Sequence, residues 1–280
     1  MTRCNAMQGD KLPVTVVVPV RNEENNLARC LERLDRFAEI VIIDSGSTDR
    51  TGEIAESFGV RVVQFHWDGK YPKKRNWFLL NHPPTQPWLF FLDADEFLDE
   101  GFCDDLQASV DGTDKNGFWV TYSNVFLGRE LRHGLVQRKL AIFRVGKALY
   151  ERIEEDCWSG LDMEIHEHPI VEGKVGEIKT PVEHRDFKGL SHFLTKHRDY
   201  AQWEARRYAT LHSTSDAWAH FTPRQRFKYR HLTKWWYPSF YFLFTYVLKA
   251  GFIDGAPGFH YAYYKTWYFH TIRLMIQENI

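Results

Sequence analysis

The sequence of 280 residues predicts a parallel α/β sheet covered by helices, followed by an aromatic, cationic, helical appendage that associates with membranes. Three observations predict it. Apolar runs alternate with helical patterns through the first hundred residues. Each run ends in an acidic or turn-rich segment. Tryptophan and tyrosine then concentrate beyond residue 223. Strands and helices alternating at this spacing imply parallel strands joined by helical crossovers.

The first strand spans residues 14–20, a β-branched run that includes Pro19. Arg21-Asn22-Glu23-Glu24-Asn25 then opens a helix with Leu27, Leu31 and Leu34 on one face, Asn22 being the expected N-cap. Residues 40–43 form the second strand. Asp44-Ser45-Gly46-Ser47-Thr48-Asp49 follows and leads into a helix closed by Gly59. Residues 60–65 form the third, followed by Trp67-Asp68-Gly69-Lys70 and a helix carrying Lys73, Lys74, Arg75 and Asn76. The fourth begins at Trp88, is strictly apolar, and runs into Asp93, Asp95 and Glu96.

Carboxylates crowded at a strand end repel one another and lose solvation, so a cation is expected among them, and oxygen-only ligands favour Mg²⁺ or Mn²⁺. Such a metal is aimed at phosphate. The alternative is that these carboxylates cap the next helix or face solvent. Their place after an apolar strand, fourth in a βα series, favours the site. In such sheets ligands bind beyond the carboxyl ends of the strands, where Glu23, Asp44, Asp68 and Asp93 fall. Their expected work is to read a nucleotide's base and ribose. No Gly-x-Gly-x-x-Gly follows the first strand and no Gly-x-x-x-x-Gly-Lys-Ser/Thr occurs, which disfavours a dinucleotide oxidoreductase and a P-loop kinase.

Val18-Pro-Val-Arg-Asn-Glu-Glu24, Ile43-Asp-Ser-Gly-Ser-Thr-Asp-Arg-Thr51, Lys74-Arg-Asn76 and Leu92-Asp-Ala-Asp-Glu96, in this order, resemble an inverting family 2 glycosyltransferase of the GT-A fold. Asn124 to Gly134, Leu140 to Arg144, Ile165-His166-Glu167 and Gly251 to Phe259 resemble the bacterial lipopolysaccharide core β-1,4-glucosyltransferase subgroup. The resemblance implies that Pro19, Glu23, Asp44, Lys74, Arg75 and Asp93 hold a UDP-sugar. It also implies that Asp95 ligates the metal bridging the diphosphate. Inversion further needs a base opposite the leaving group, to take the acceptor hydroxyl's proton.

Glu167 is the expected base. In an extended segment Ile165 and Glu167 share one face while Glu164, His166 and His168 share the other, and Glu164 is the alternative. His166, His168 and His184 lack a helical His-Glu-x-x-His spacing, so zinc is not expected. Arg129, Arg132, His133 and Arg138 surround Gly128 and Gly134; they form either a solvated loop face or, by resemblance, the acceptor side, where an anionic glycan needs cationic contacts.

Residues 1–222 are expected to form the catalytic domain and residues 223–280 the membrane-associated region. Net charge is −1, from 36 Lys and Arg against 37 Asp and Glu, yet residues 223–280 carry eight Lys and Arg against Asp254 and Glu278. The run from Trp235 to Val247 is too short to span a bilayer and lies between Lys234 and Lys249, so an interfacial pair of helices is expected. The alternative is an aromatic hairpin packed on the protein or at a dimer interface. Cys4, Cys30, Cys103 and Cys157 show no metal spacing, and reduced thiols are expected. The polar residues 1–11 carry no signal-peptide pattern.

The function expected is metal-dependent transfer of a hexose, glucose by resemblance, from a UDP-sugar to a lipid-linked glycan such as lipopolysaccharide core. The expected place is the cytoplasmic face of a bacterial inner membrane, with no nucleic-acid partner. The alternatives are transfer onto polyprenyl phosphate or an exopolysaccharide intermediate, and a nucleotide-sugar binding protein without turnover.

Overall fold

The structure, a computed structural model, describes residues 11–153, 160–164, 167–213, 218 and 221–278. Two compact units emerge, residues 1–123 with 137–187, and residues 124–136 with 188–280.

The first unit contains β1 (Leu12–Val20), α1 (Leu27–Leu31), β2 (Phe37–Asp44), α2 (Thr51–Ser57), β3 (Arg61–Gln64), α3 (Lys74–Asn81), β4 (Trp88–Phe91), β5 (Glu96–Phe97) and α4 (Glu100–Val110). Strand β6 (Gly117–Phe126) follows and runs on to pair with β7 (Arg129–Leu131); after it come β8 (Gln137–Arg144), β9 (Ala148–Tyr150), β10 (Pro169–Val171), β11 (Val175–Glu177) and β12 (Val182–His184). The main sheet runs β3-β2-β1-β4-β8-β6-β12-β5. Strands β3, β2, β1 and β4 are parallel, whereas β8 is antiparallel to both β4 and β6 and β12 is antiparallel to β5. The fold is mixed α/β, with its parallel character concentrated in the N-terminal half.

Both faces of the parallel strands are covered, which explains their near-continuous apolar sequence. Val16, Val18, Ile42 and Phe90 pack with Leu27, Leu34 and Phe102 on one side. Val17, Val41, Ile43, Leu89 and Phe91 pack with Phe78 on the other. Cys30 and Cys103 are buried free thiols; Cys4 and Cys157 lie outside the described residues.

One expectation needs correcting. Asn22 is not a helix N-cap; helix α1 starts at Leu27 with Asn26 in the cap position. Asn22 takes a left-handed φ of 55°, which Asn tolerates better than most residues. Its backbone N–H donates to Ser47 Oγ (2.9 Å) and its side-chain oxygen accepts from the Thr48 N–H (2.8 Å). The residue ties the loop after β1 to the loop after β2, at the edge where the ligand is expected.

The second unit holds β7, α5 (Gly189–Ser213), α6 (Pro223–His231), α7 (Tyr237–Phe242), a π-helical turn (Leu243–Leu248), a 3-10 turn (Gly251–Asp254) and α8 (Gly255–Glu278). Thr222 and Gln225 form a capping box at the start of α6, with Pro223 at the first turn. The core joins Ala201, Ala205 and Leu211 of α5 to Leu232 and to Tyr268, Phe269 and Ile272 of α8. The sequence position 222/223 therefore falls inside this unit. No helix among the described residues is long and apolar enough to cross a membrane.

Candidate active site

The carboxyl ends of β1, β2 and β4 bring acidic side chains to one edge of the parallel sheet. Glu23 follows β1; its N–H donates to Thr51 Oγ1 (2.8 Å) and its carboxylate accepts from Asn26 Nδ2 (2.9 Å). Asp44 closes β2, is 6% exposed, and accepts from the N–H (3.0 Å) and hydroxyl (2.6 Å) of Ser47. Pro19 pairs in register with Ile43 inside the sheet. Asp68 is exposed in the loop after β3, where it accepts from the Lys70 N–H.

Asp93 and Asp95 follow β4 and meet different partners. Asp93 accepts from Arg75 Nη2 and from Lys139 Nζ, both at 2.6 Å. Burial opposes its ionisation, but these two cations hold its carboxyl well below the usual range. Lys139 also reaches the fully buried Glu96, at 2.5 Å, while burial pushes the Glu96 carboxyl up to about 7. Asp95, 7% exposed, lies 3.3 Å from His184 Nε2. The pairing of β12 with β5 sets His184 opposite Glu96, and Arg185 N–H donates to the Asp95 carbonyl. Burial disfavours a charged imidazole, yet Asp95 outweighs it and raises the His184 pKa.

Among the described residues no three His, Cys, Asp or Glu side chains gather into a metal cage. The Asp95–His184 pair still suits a divalent cation of the Mg²⁺ or Mn²⁺ type, which accepts one or two protein ligands and takes the rest from phosphate and water.

Helix α3 supplies the cations. Its N-terminal amides at Arg75 and Asn76 donate to the two carboxylate oxygens of Glu164, both at 2.9 Å, and Arg75 Nη1 donates to the Glu164 carbonyl. Glu164 therefore serves as the anion at the helix start. Arg75 is fixed between this segment and Asp93, with its Nε buried and unpartnered. Lys74 Nζ lies 3.1 Å from Asp162 and donates to the Val20 carbonyl (3.3 Å). Burial opposes the charge on this ammonium and lowers its pKa, a shift that Asp162 partly offsets. Glu167 is 5% exposed, with Oε1 2.7 Å from Lys73 Nζ, whose side chain is 6% exposed. Both Glu164 and Glu167 are thus buried; Ile165 and His166, which carry the expected alternation of faces, lie outside the described residues. Two further buried polar atoms lack partners just beyond strand ends, Ser45 Oγ after β2 and Trp67 Nε1 after β3.

The cations expected on the acceptor side divide between the units. In the second, Arg129 is exposed, Arg132 pairs with Glu130 (3.0 Å), and the His133 N–H and Nδ1 both lie 2.9 Å from the Asp254 carboxylate. Burial opposes ionisation of Asp254, and His133 reverses the effect and lowers its pKa. In the first unit Arg138 stacks 4.7 Å over Trp119 and lies 3.8 Å from Glu177.

Sequence reasoning missed Lys139 and named His184 only in setting zinc aside. Lys139 could have been found as the cation directly before the buried run Leu140-Ala141-Ile142-Phe143. His184 carries no local signal, because its place depends on a pairing across 88 residues, between β12 and β5.

A mixed α/β sheet carries paired aspartates beyond β4, with cations around them. Residues 15–160 match the profile of Glycosyl transferase family 2, and the chain belongs to that family and is a glycosyltransferase. It is 31% identical over 268 residues, 90% of each chain, to the lipopolysaccharide core biosynthesis glycosyltransferase LpsC of Rhizobium meliloti (strain 1021). A shorter match, 30% identical over 105 residues, covers 35% of this chain and 15% of glycosyltransferase GlyA of Streptococcus pneumoniae serotype 4. Among solved structures, S. aureus TarS 1-349 aligns with a TM-score of 0.45 and 14% identity over 96% of this chain and 91% of that one.

Proposed function

We propose that the protein transfers a hexose, with inversion, from a UDP-sugar to a lipid-linked glycan of the lipopolysaccharide core type, with a divalent metal at Asp95 and His184. The observation that carries the reading is the split of partners at 93–96: Asp93 is held by two cations, while Asp95 lies beside the His184 imidazole, a carboxylate and a nitrogen both able to ligate a metal. Similarity to LpsC over 90% of the chain supports the acceptor class.

In this reading Glu23, Asp44 and Asp93 receive the uracil and ribose, with Ser45 Oγ and Trp67 Nε1 as spare hydrogen-bonding groups nearby. Arg75 keeps Asp93 oriented, and Lys74 lies toward the ribose or phosphates. Asp95 and His184 would hold the divalent ion, which would supply charge neutralisation at the diphosphate leaving group. Glu167 takes the proton of the acceptor hydroxyl; its ion pair with Lys73 fixes the carboxylate's position beforehand. Arg129, Arg132 and His133 contact the acceptor, with Asp254 fixing the His133 ring. Residues 223–280 carry a peripheral contact with the cytoplasmic face of the inner membrane.

The test is a thermal-shift screen of UDP-sugars with and without Mn²⁺, followed by UDP release from the best donor in the presence of core oligosaccharide. The reading requires one UDP-sugar to stabilise the protein more with Mn²⁺ than without it. Absence of any UDP-sugar response would refute it.

A further inference from the structure

Five exposed apolar side chains of the second unit cluster on two successive turns. Leu243, Val247 and Leu248 on the π-helical turn and Phe252 and Ile253 on the 3-10 turn are 55, 49, 72, 52 and 54% exposed. Large apolar side chains clustered at this density mark a surface that is covered in use. The turns carrying them are tightly packed. A Cβ on Gly258 would lie 2.3 Å from the Gly251 carbonyl oxygen, and one on Gly251 would lie 2.9 Å from that of Thr245. Ala250 adopts a left-handed φ of 57°, and the Thr245 hydroxyl donates to the Tyr241 carbonyl (2.8 Å). Aromatic rings extend the patch: Phe227 and Phe240, then Phe240 and Phe244, have centroids 5.9 Å apart.

Charge decides what covers it. Between Phe221 and Gln277 the sequence holds a single carboxylate, Asp254, which is 4% exposed and bound to His133. Arg224, Arg226, Arg230, Lys234 and Lys249 are all exposed. Lys249 Nζ lies 5.7 Å from the centroid of the Phe244 ring, so cation and apolar patch are contiguous. In a two-fold contact, a second copy would set these cations against one another. An anionic bilayer satisfies the charge and the apolar surface together.

We propose that residues 243–253 form a wedge that enters the acyl region of an anionic bilayer, with Leu243, Val247, Leu248, Phe252 and Ile253 below the headgroups and Arg226, Arg230, Lys234 and Lys249 among them. Trp235, 76% exposed, lies at headgroup level. The proposal rests on the peripheral-membrane reading above and deepens it: binding depends on insertion of a defined turn, and charge attraction adds to it.

The test is co-flotation of the full chain with phosphatidylcholine vesicles, with and without phosphatidylglycerol. Leu248→Asp combined with Ile253→Asp lowers partition by roughly 100-fold, because each lost apolar side chain is worth roughly tenfold. UDP affinity in solution stays unchanged. Leu243→Asp with Phe252→Asp repeats the test at other exposed positions of the turn. Arg226→Gln and Lys249→Gln each weaken binding roughly fivefold, and only when phosphatidylglycerol is present. If the wild type floats and both wedge variants float equally, the wedge is wrong and the peripheral contact stands. If the wild type floats with neither vesicle, both fall. If the wild type sediments as a dimer that the wedge variants convert to a monomer with flotation unchanged, the surface belongs to a second copy and the proposal is overturned.

Discussion

Asp93 and Asp95 stand two residues apart and meet different partners: Arg75 and Lys139 neutralise the first while His184 meets the second. Asp95→Ala should therefore abolish turnover and remove the effect of Mn²⁺ on UDP binding, with the melting temperature unchanged or raised, since one anion leaves a crowded site. Calorimetric titration of UDP with and without Mn²⁺ checks this. Glu167 and Glu164 separate in the same manner. Glu164→Gln removes one of two acceptors at the start of α3 and should lower stability by about 1 to 3 kcal/mol, visible in denaturant unfolding. Glu167→Gln should lower kcat by a factor on the order of 10² to 10⁴ with donor KM kept. It also removes the Glu167 carboxylate from the buried Lys73 ammonium, so Lys73→Met is the companion variant. If Lys73→Met lowers kcat as much as Glu167→Gln does, the pair is structural and the base lies elsewhere.

At the scale of elements, β1, β2 and β4 were legible because burial on both faces demands unbroken apolar runs, and the acidic groups at their ends could be read directly from Asp44, Asp93 and Asp95. What was not legible depends on long-range pairing. Strand β8 enters antiparallel beside β4 and delivers Lys139, and β12 delivers His184; neither strand announces its partner. The first helix begins at Leu27, later than a cap at Asn22 implies, because Asn22 bonds across to Ser47 and Thr48 instead of capping. Helices α5 and α8 make a further prediction. Lys265 on α8 lies 3.0 Å from His197 Nε2, and burial, reinforced by Lys196, pushes its pKa down to about 8. A lysine whose folded pKa is depressed lowers stability fully below that pKa and stops doing so as pH passes the unfolded value. Lys265→Met should raise the melting temperature at pH 7, and the gain should shrink between pH 8 and about 10.5. A gain independent of pH would remove the charge explanation.

For the whole molecule, the C-terminal region is part of a folded unit, since α8 shares a core with α5. Deleting residues 223–280 strips Tyr229, Leu232, Phe269 and Ile272 from that core, so the truncated chain should aggregate or lose the helicity of α5, as circular dichroism would show. Membrane contact is better tested at exposed positions of the intact chain. The central claim is a metal-assisted, UDP-sugar-dependent transferase centred on Asp95. Its most direct test is release of UDP from UDP-glucose with core oligosaccharide, Mn²⁺ or EDTA present, for wild type and Asp95→Ala. Acceptor-dependent release that EDTA and Asp95→Ala both abolish is the predicted result; release that survives either would contradict the account.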